Sequence, residues 1–335
     1  MQIRLFTNEV IGGWCANDLE EFLGGSEECV VLLSEALVRA GYKVRCYHTF
    51  SADMKSKNNW YELNGVQYAN RESVDVNPQD ILITFKNKLP WLATFDNEAA
   101  VRIHWSSDVE IPWNPKIIDA FVCISDYHES RIIFVPKEKC VVIPHGIDAE
   151  SLVQNKVEKQ PGTILYCSSP DRGLTQLLTD WQSIRNAHHQ KLELRIAYGF
   201  SNLEKMGGPA SRQIKNNILH KMKQAGITYL GQLNKNELEQ EYHRAQYWIM
   251  PLNNPDSELF CLNAVKSRFC GCIPVVNKIG ALKNTVGEYI DYKKFFNGYT
   301  ETKKEKPAWP IMNWDEIVKN YWTPLFEKHL KGETV

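Results

Sequence analysis

Short apolar runs alternate with segments of helical period along the whole chain. Residues 3–7 read as a buried strand, and a long connection follows that contains Gly12-Gly13 and Gly24-Gly25-Ser26-Glu27. Val30, Leu33, Leu37 and Val38 then fall on one helical face, and Gly41 ends that helix. Residues 43–48 give the next strand, so the order is strand, glycine-bearing loop, helix, strand: the βαβ unit of a parallel sheet. Further strands are predicted at 80–84, 100–104, 120–124 and 140–144. After the polar stretch 154–162 the pattern restarts, with a strand at 163–167, a helix from 173 to about 186, and strands at 192–197, 228–230, 247–250 and 273–276. The fold class predicted is α/β, with two Rossmann-like parallel-sheet domains. We set the domains at 1–152 and 153–313, followed by an aromatic-rich amphipathic helix in 314–335.

Length and composition agree with this plan. A chain of 335 residues exceeds one ordinary core, and 43% hydrophobic with 24% charged residues is the make-up of a globular protein. Lys and Arg total 39 against 40 acids, which gives no support to nonspecific nucleic-acid binding. The nine cysteines are scattered through apolar stretches and read as buried, reduced thiols of a cytoplasmic protein. Cys270 and Cys272 have no His/Cys pair nearby, so no metal site is expected. The chain starts directly in a strand, with no charged leader before an apolar run, and no apolar run approaches the length of a spanning helix. Peripheral membrane contact stays open.

The segment Glu258-Leu-Phe-Cys-Leu-Asn-Ala-Val-Lys-Ser-Arg-Phe-Cys-Gly271-Cys-Ile-Pro-Val-Val276 carries the most chemistry. An acid opens a predicted helix whose apolar stripe is Leu259, Leu262, Val265 and Phe269; Gly271 stops it, and a short strand follows. An acid there stands beside free backbone N–H groups and the positive end of a helix dipole, a setting suited to sugar hydroxyls and phosphate oxygens. The pattern resembles the signature of retaining, nucleotide-sugar-dependent glycosyltransferases of the double-Rossmann (GT-B) class, family 4 in particular. Their usual form is an acid, seven residues, a second acid, then Ala-x-Ala-x-Gly-x-Pro-Val. This chain has Lys266 where the second acid stands, and an ammonium cannot accept the hydrogen bonds of a nucleotide ribose. Either the ribose is held otherwise, the lysine meets phosphate, or donor binding has degraded.

Other elements fit the resemblance in order. Gly24-Gly25 at the head of the first long helix resembles the donor-facing loop, where glycines let the backbone approach a diphosphate. Ser168-Ser-Pro-Asp-Arg-Gly-Leu174 places Arg172 at a βα turn, resembling the element whose cation holds that diphosphate; two serines stand where many relatives carry a second basic residue. Gly231-Gln-Leu-Asn234 resembles the loop that borders the base. Arg102-Ile-His-Trp-Ser-Ser-Asp-Val-Glu110 resembles the histidine-containing loop beside the sugar, with two registers open: His104 itself, or Ser107-Asp108. Ser125 and the run from Pro144 to Asp148 are positional landmarks, a helix cap and the turn toward the second domain.

The resemblance implies two Rossmann-like domains facing a cleft. It implies catalytic roles for Glu258, His104 and Asp108, and donor binding at Gly24, Gly25, Arg172, Gly199, Gln232, Leu233, Cys261, Leu262, Asn263 and Lys266. The expected reaction is metal-independent, retaining transfer of a sugar from a nucleotide-diphosphate sugar as co-substrate, with no further cofactor. The acceptor is a glycan, a lipid-linked or small molecule, a protein or a nucleic acid. Alternatives are a nucleotide-sugar-binding protein that lost turnover, or an epimerase or phosphorylase of the same architecture.

Overall fold

Strand β1 (Ile3–Thr7) is buried along its whole length, so both faces need cover and its place is inside a sheet. The computed structural model shows that sheet and a second one, and describes the chain except residues 8–12, 22, 51–58, 74–76, 87–98, 110–116, 202–203, 205–207, 308 and 333–335. The first sheet contains β1, β2 (Val44–His48), β3 (Trp60–Leu63), β4 (Val66–Asn70), β5 (Ile81–Phe85), β6 (Val101–Trp105), β7 (Ala120–Cys123) and β8 (Cys140–Val142). Their spatial order is β3-β4-β2-β1-β5-β6-β7-β8. The second contains β9 (Gln160–Tyr166), β10 (Glu193–Ile196), β11 (Ile227–Tyr229), β12 (Ala245–Met250), β13 (Ile273–Val276), β14 (Glu288–Asp291) and β15 (Lys303–Lys304), in the order β11-β10-β9-β12-β13-β14-β15. Neighbours are parallel throughout, apart from the antiparallel edge pairs β3/β4 and β14/β15.

The chain divides into two compact units. Unit 1 comprises Met1–Leu19, Leu23–Asp148 and Met312–Val335, and unit 2 comprises Glu20–Phe22 and Ala149–Ile311. In each sheet the winding reverses beside the first strand, between β1 and β5 and again between β9 and β12. A doubly wound sheet opens a crevice at that reversal, outside the carboxyl ends of the strands.

The helix Gly25–Arg39 is buried continuously from Cys29 through Leu37, as a helix covering a sheet should be. Gly41, at φ +92°, closes it: its N–H bonds the Val38 carbonyl and the Tyr42 N–H bonds that of Leu37. In unit 2 the helix Leu174–Ala187 lays Leu174, Leu177, Leu178, Trp181 and Ile184 against Ile164, Leu194 and Ile249 of the sheet. The outgoing chain at Ile147 and the returning chain at Met312 lie side by side, with the Ile147 N–H 3.0 Å from the Met312 carbonyl. Gly146 permits this, because a Cβ there would lie 2.8 Å from the Trp314 nitrogen. Among the described residues no helix is long and apolar enough to cross a membrane.

Several elements differ from the sequence expectation, β14 and β15 among them, which it did not include. The hairpin β3/β4 was not predicted, although Asn64 (φ 51°) and Gly65 (φ 78°) form the two-residue positive-φ turn that joins antiparallel strands. The terminal amphipathic helix is not uniform: Trp314–Ile317 is α, Val318–Trp322 widens into a π turn, and Thr323–Leu330 returns to α. Pro324 accounts for the widening, because it has no N–H to donate and its ring crowds the preceding turn.

Candidate functional site

Four neighbouring strands of unit 2, β11, β10, β9 and β12, each lead into a loop with expected donor residues. Gln232 and Leu233 follow β11, Gly199 follows β10, Arg172 follows β9, and the segment from Glu258 to Asn263 follows β12. Parallel strands point their carboxyl ends one way, so these residues share one edge, and β9 and β12 flank the crevice. Close backbone approach is built in. A Cβ on Gly199 would meet Gln232 Oε1 at 2.6 Å, and one on Gly173 (φ +95°) would meet the Pro251 carbonyl at 2.5 Å.

The loop after β9 is held by its own hydrogen bonds. The Tyr166 hydroxyl donates to the Ser169 carbonyl at 2.7 Å, the Ser169 hydroxyl bonds Asp171, and the Arg172 N–H donates to the Ser169 carbonyl at 3.0 Å. The Arg172 guanidinium lies 3.4 Å from the Asp171 carboxylate, which is 66% exposed. Such a pair is screened by water and worth little, so the guanidinium fork remains available to an anion.

Glu258 does not open a helix. A 3-10 turn, Pro255–Ser257, is capped by the Asn254 side chain, and the chain then runs extended through Glu258 at φ −142° and ψ 108°. Leu259 and Phe260 are buried before the helix Leu262–Phe269 begins, with Cys261 as its N-cap. The 3.6-residue stripe read from the sequence thus counted Leu259 one turn too early, because an extended residue also buries its side chain. Burial raises the Cys261 thiol well above its ordinary pKa, and the nearby Glu258 carboxylate adds to this. The N–H groups of Ala264 and Val265 both bond the Cys261 carbonyl, at 3.1 and 3.2 Å, so those of Leu262 and Asn263 precede the first bond of the helix.

Lys266 is buried, 8% exposed. Its charge acts on Glu239, a buried acid whose carboxylate accepts from the Ser151 hydroxyl at 2.7 Å and the Asn155 amide at 2.8 Å. Burial raises the pKa of Glu239, while those two bonds and the charges of Lys235 and Lys266 lower it. Burial dominates, and the charge of Lys266 is the smallest of these influences on Glu239.

In unit 1, Gly24 and Gly25 sit where expected, at the N-terminus of the helix Gly25–Arg39, with Gly24 as N-cap. His104 is interior: it is 2% exposed, shares a 2.8 Å hydrogen bond with Thr84 Oγ1, and lies 5.3 Å from the Phe121 ring. Burial, then the nearby His128, lower its pKa to about 3. Ser107 and Asp108 lie beyond the end of β6, with Asp108 exposed. His128 holds this turn: its Nε2–H donates to the Asp108 carbonyl at 3.0 Å while Nδ1 accepts from the Ile124 N–H at 3.2 Å. Ser125 caps the helix Asp126–Arg131 by accepting from the His128 N–H.

Three residues of these edges carry no expectation from the sequence. Lys86 follows β5 with φ 51° and donates to Ser26 Oγ at 2.7 Å, in the first turn of the helix that Gly24 caps. His128 steadies the Asp108 turn, and Tyr242 bonds Asn263 at 2.7 Å. The place of Lys86 directly after a strand is a signal in the sequence; the other two act through side-chain directions that only packing sets.

Residues 149–307 match the family model described as glycosyl transferases group 1. No curated protein sequence matches the chain. Solved structures with similar folds include a sucrose-phosphate synthase from Thermosynechococcus elongatus, with TM-score 0.67, 14% identity, and 99% of this chain and 100% of that one covered. A glycosyltransferase of avilamycin A biosynthesis gives 0.66 at 14% identity, covering 100% and 99%. The catalytic domain of starch synthase IV from Arabidopsis thaliana gives 0.59 at 12% identity, covering 99% and 92%. The chain thus has the GT-B glycosyltransferase fold, and the family match, residues 149–307, lies inside unit 2.

Proposed function

We propose that this protein moves a sugar from a nucleoside-diphosphate donor to an acceptor hydroxyl, with retention at the anomeric carbon and without a metal ion. One observation carries the reading: Arg172, Glu258 and the leading N–H groups of the helix Leu262–Phe269 come together on the loops flanking the reversal of unit 2. Arg172 and those N–H groups take the diphosphate, which neutralises its charge without a metal. Glu258 accepts from sugar hydroxyls and favours the oxocarbenium-like state as the anomeric C–O bond breaks. The acceptor oxygen then bonds the anomeric carbon on the face that the diphosphate leaves, and the acceptor proton passes to the departing phosphate oxygen. Proteins of this fold solved with UDP and glucose, or with ADP and acarbose, support a nucleotide as the ligand.

The test is a panel of UDP-, ADP- and GDP-sugars, scored by thermal shift and by release of the nucleoside diphosphate, with and without EDTA. A donor that raises the melting temperature and is turned over equally in EDTA is the expected result. Stabilisation without any release, across acceptors, would mark a nucleotide-sugar-binding protein instead, and release that EDTA abolishes would remove the metal-free mechanism.

A further inference from the structure

Asn263 stands at the second residue of the helix Leu262–Phe269, where the sequence points to its backbone alone. Its side chain is fully engaged inside unit 2. The Tyr242 hydroxyl donates to Asn263 Oδ1 at 2.7 Å, and the two hydrogens of Nδ2 go to the Cys167 carbonyl at 3.1 Å and the Ser168 hydroxyl at 3.2 Å. A carbonyl can only accept, so the bond to Cys167 fixes which end of the amide carries nitrogen. Tyr242, in the helix Lys235–Arg244, is fully buried, and its oxygen accepts from the Cys167 thiol at 3.3 Å. Ser168 in turn bonds the Met250 sulfur at 3.4 Å, at the end of β12.

We propose that Tyr242 and Asn263 are positioning residues that lock the loop after β9 to the loop after β12, and thereby set the affinity of unit 2 for a nucleoside diphosphate. Cys167 and Ser168 begin the loop that carries Arg172. Asn263 follows Glu258 and Cys261 in the other. One amide side chain therefore spans the crevice-flanking pair from behind, and Tyr242 orients it. An apolar trio of similar shape would fill the same space without directional demands, whereas a saturated hydrogen-bond network fixes one arrangement. The inference rests on the donor reading given above, in that the locked groups are those assigned to the diphosphate.

The experiment uses the full chain with Tyr242→Phe, Asn263→Leu and the double variant. Amide hydrogen exchange is followed in residues 167–172 and 261–264 without ligand, and affinity is measured for UDP, ADP and GDP. Exchange in both loops should rise about tenfold in each single variant, as expected for one buried hydrogen bond. The dissociation constant of the tightest diphosphate should rise about tenfold, with KM for the donor rising more than kcat falls. The double variant should be no worse than the weaker single one, because the two residues act as one device. Wild-type exchange and affinity in Tyr242→Phe, or losses that add in the double variant, would overturn the proposal. Should Tyr242→Phe fold poorly, Asn263→Leu, at the partly exposed end, decides the same question. If no diphosphate binds even the wild-type chain, the donor reading fails, and the exchange data still decide whether the lock exists.

Discussion

Unit 1 and unit 2 wind their sheets in the same sense around a first strand, yet they fill their interiors differently. Unit 1 buries four histidines, His48, His104, His128 and His145, and burial lowers their pKa values to about 3, 3, 4 and 3. His48 stacks on Trp14 with ring centroids 3.9 Å apart, and His145 lies edge-on to Trp105 at 5.5 Å. Both units bury acids against cations: in unit 1 Asp80 accepts from Arg4 at 2.9 Å, and in unit 2 Glu241 accepts from Arg195 at 2.6 Å and from Arg244 at 3.0 Å. Unit 2 also holds the family match and most of the expected donor-binding residues. The frame and the use of buried ion pairs are shared; among the described residues the cluster of buried histidines with lowered pKa belongs to unit 1. A doubly wound sheet constrains where loops emerge, and leaves open how polar groups inside are neutralised.

The largest effect expected from this difference is on acid stability. An imidazole that stays neutral in the fold down to pH 3–4 takes its proton near pH 6.5 once unfolded, so its contribution is whole above pH 6.5 and drains as pH falls toward the folded value. Each proton taken up costs about 1.4 kcal/mol per pH unit, so four histidines remove on the order of 8 kcal/mol by about pH 5. Hydrogen exchange across an acid titration should show unit 1 losing protection first. Loss in unit 2 first would break the comparison.

Charge reversal probes the other interior. Lys266→Glu restores the acid of the usual signature but exchanges a buried cation for a buried acid whose charge disfavours the Glu239 carboxylate, an expected cost of about 3 kcal/mol or more. A clear drop in melting temperature is expected, read by calorimetry. Tighter diphosphate binding at an unchanged melting temperature would instead assign Lys266 to the ribose site.

Two smaller changes should leave both interiors intact and act on the edge of unit 2 alone. Glu258→Ala is expected to lower turnover on the order of 100-fold, about 2.7 kcal/mol, while the melting temperature holds. A folded variant with normal turnover removes Glu258 from the chemistry. Arg172→Ala should weaken nucleoside-diphosphate binding by about 2 kcal/mol in calorimetric titration, in the range for hydrogen bonds to a charged group. Equal affinity in variant and wild type would show that the N–H groups of Leu262 and Asn263 suffice.

Much of the frame was legible because it depends on periodicity. Apolar runs marked β1, β2 and β5 through β13, and Gly41 marked a helix end, since a left-handed residue is needed there. The Asn64-Gly65 dipeptide is an equally local signal, a two-residue turn with both φ angles positive. Glu258 shows the limit: its segment has helical spacing, yet Asn254 and Pro255 spend that stretch on a 3-10 turn, and the helix starts only at Leu262.

The sequence by itself determined the two α/β units, the carboxyl-edge placing of Arg172 and Glu258, and the lysine at the second acid position. These follow from local pattern and chain order, which fix where a strand ends and a loop begins. The tertiary structure alone decided that His104 faces Thr84 inside the sheet and that Lys266 is buried. It also decided that Tyr242 and Lys86 act on Asn263 and on Ser26. Each of these contacts depends on where a side chain points and on partners from 20 to 60 residues away, and local spacing carries no information about either.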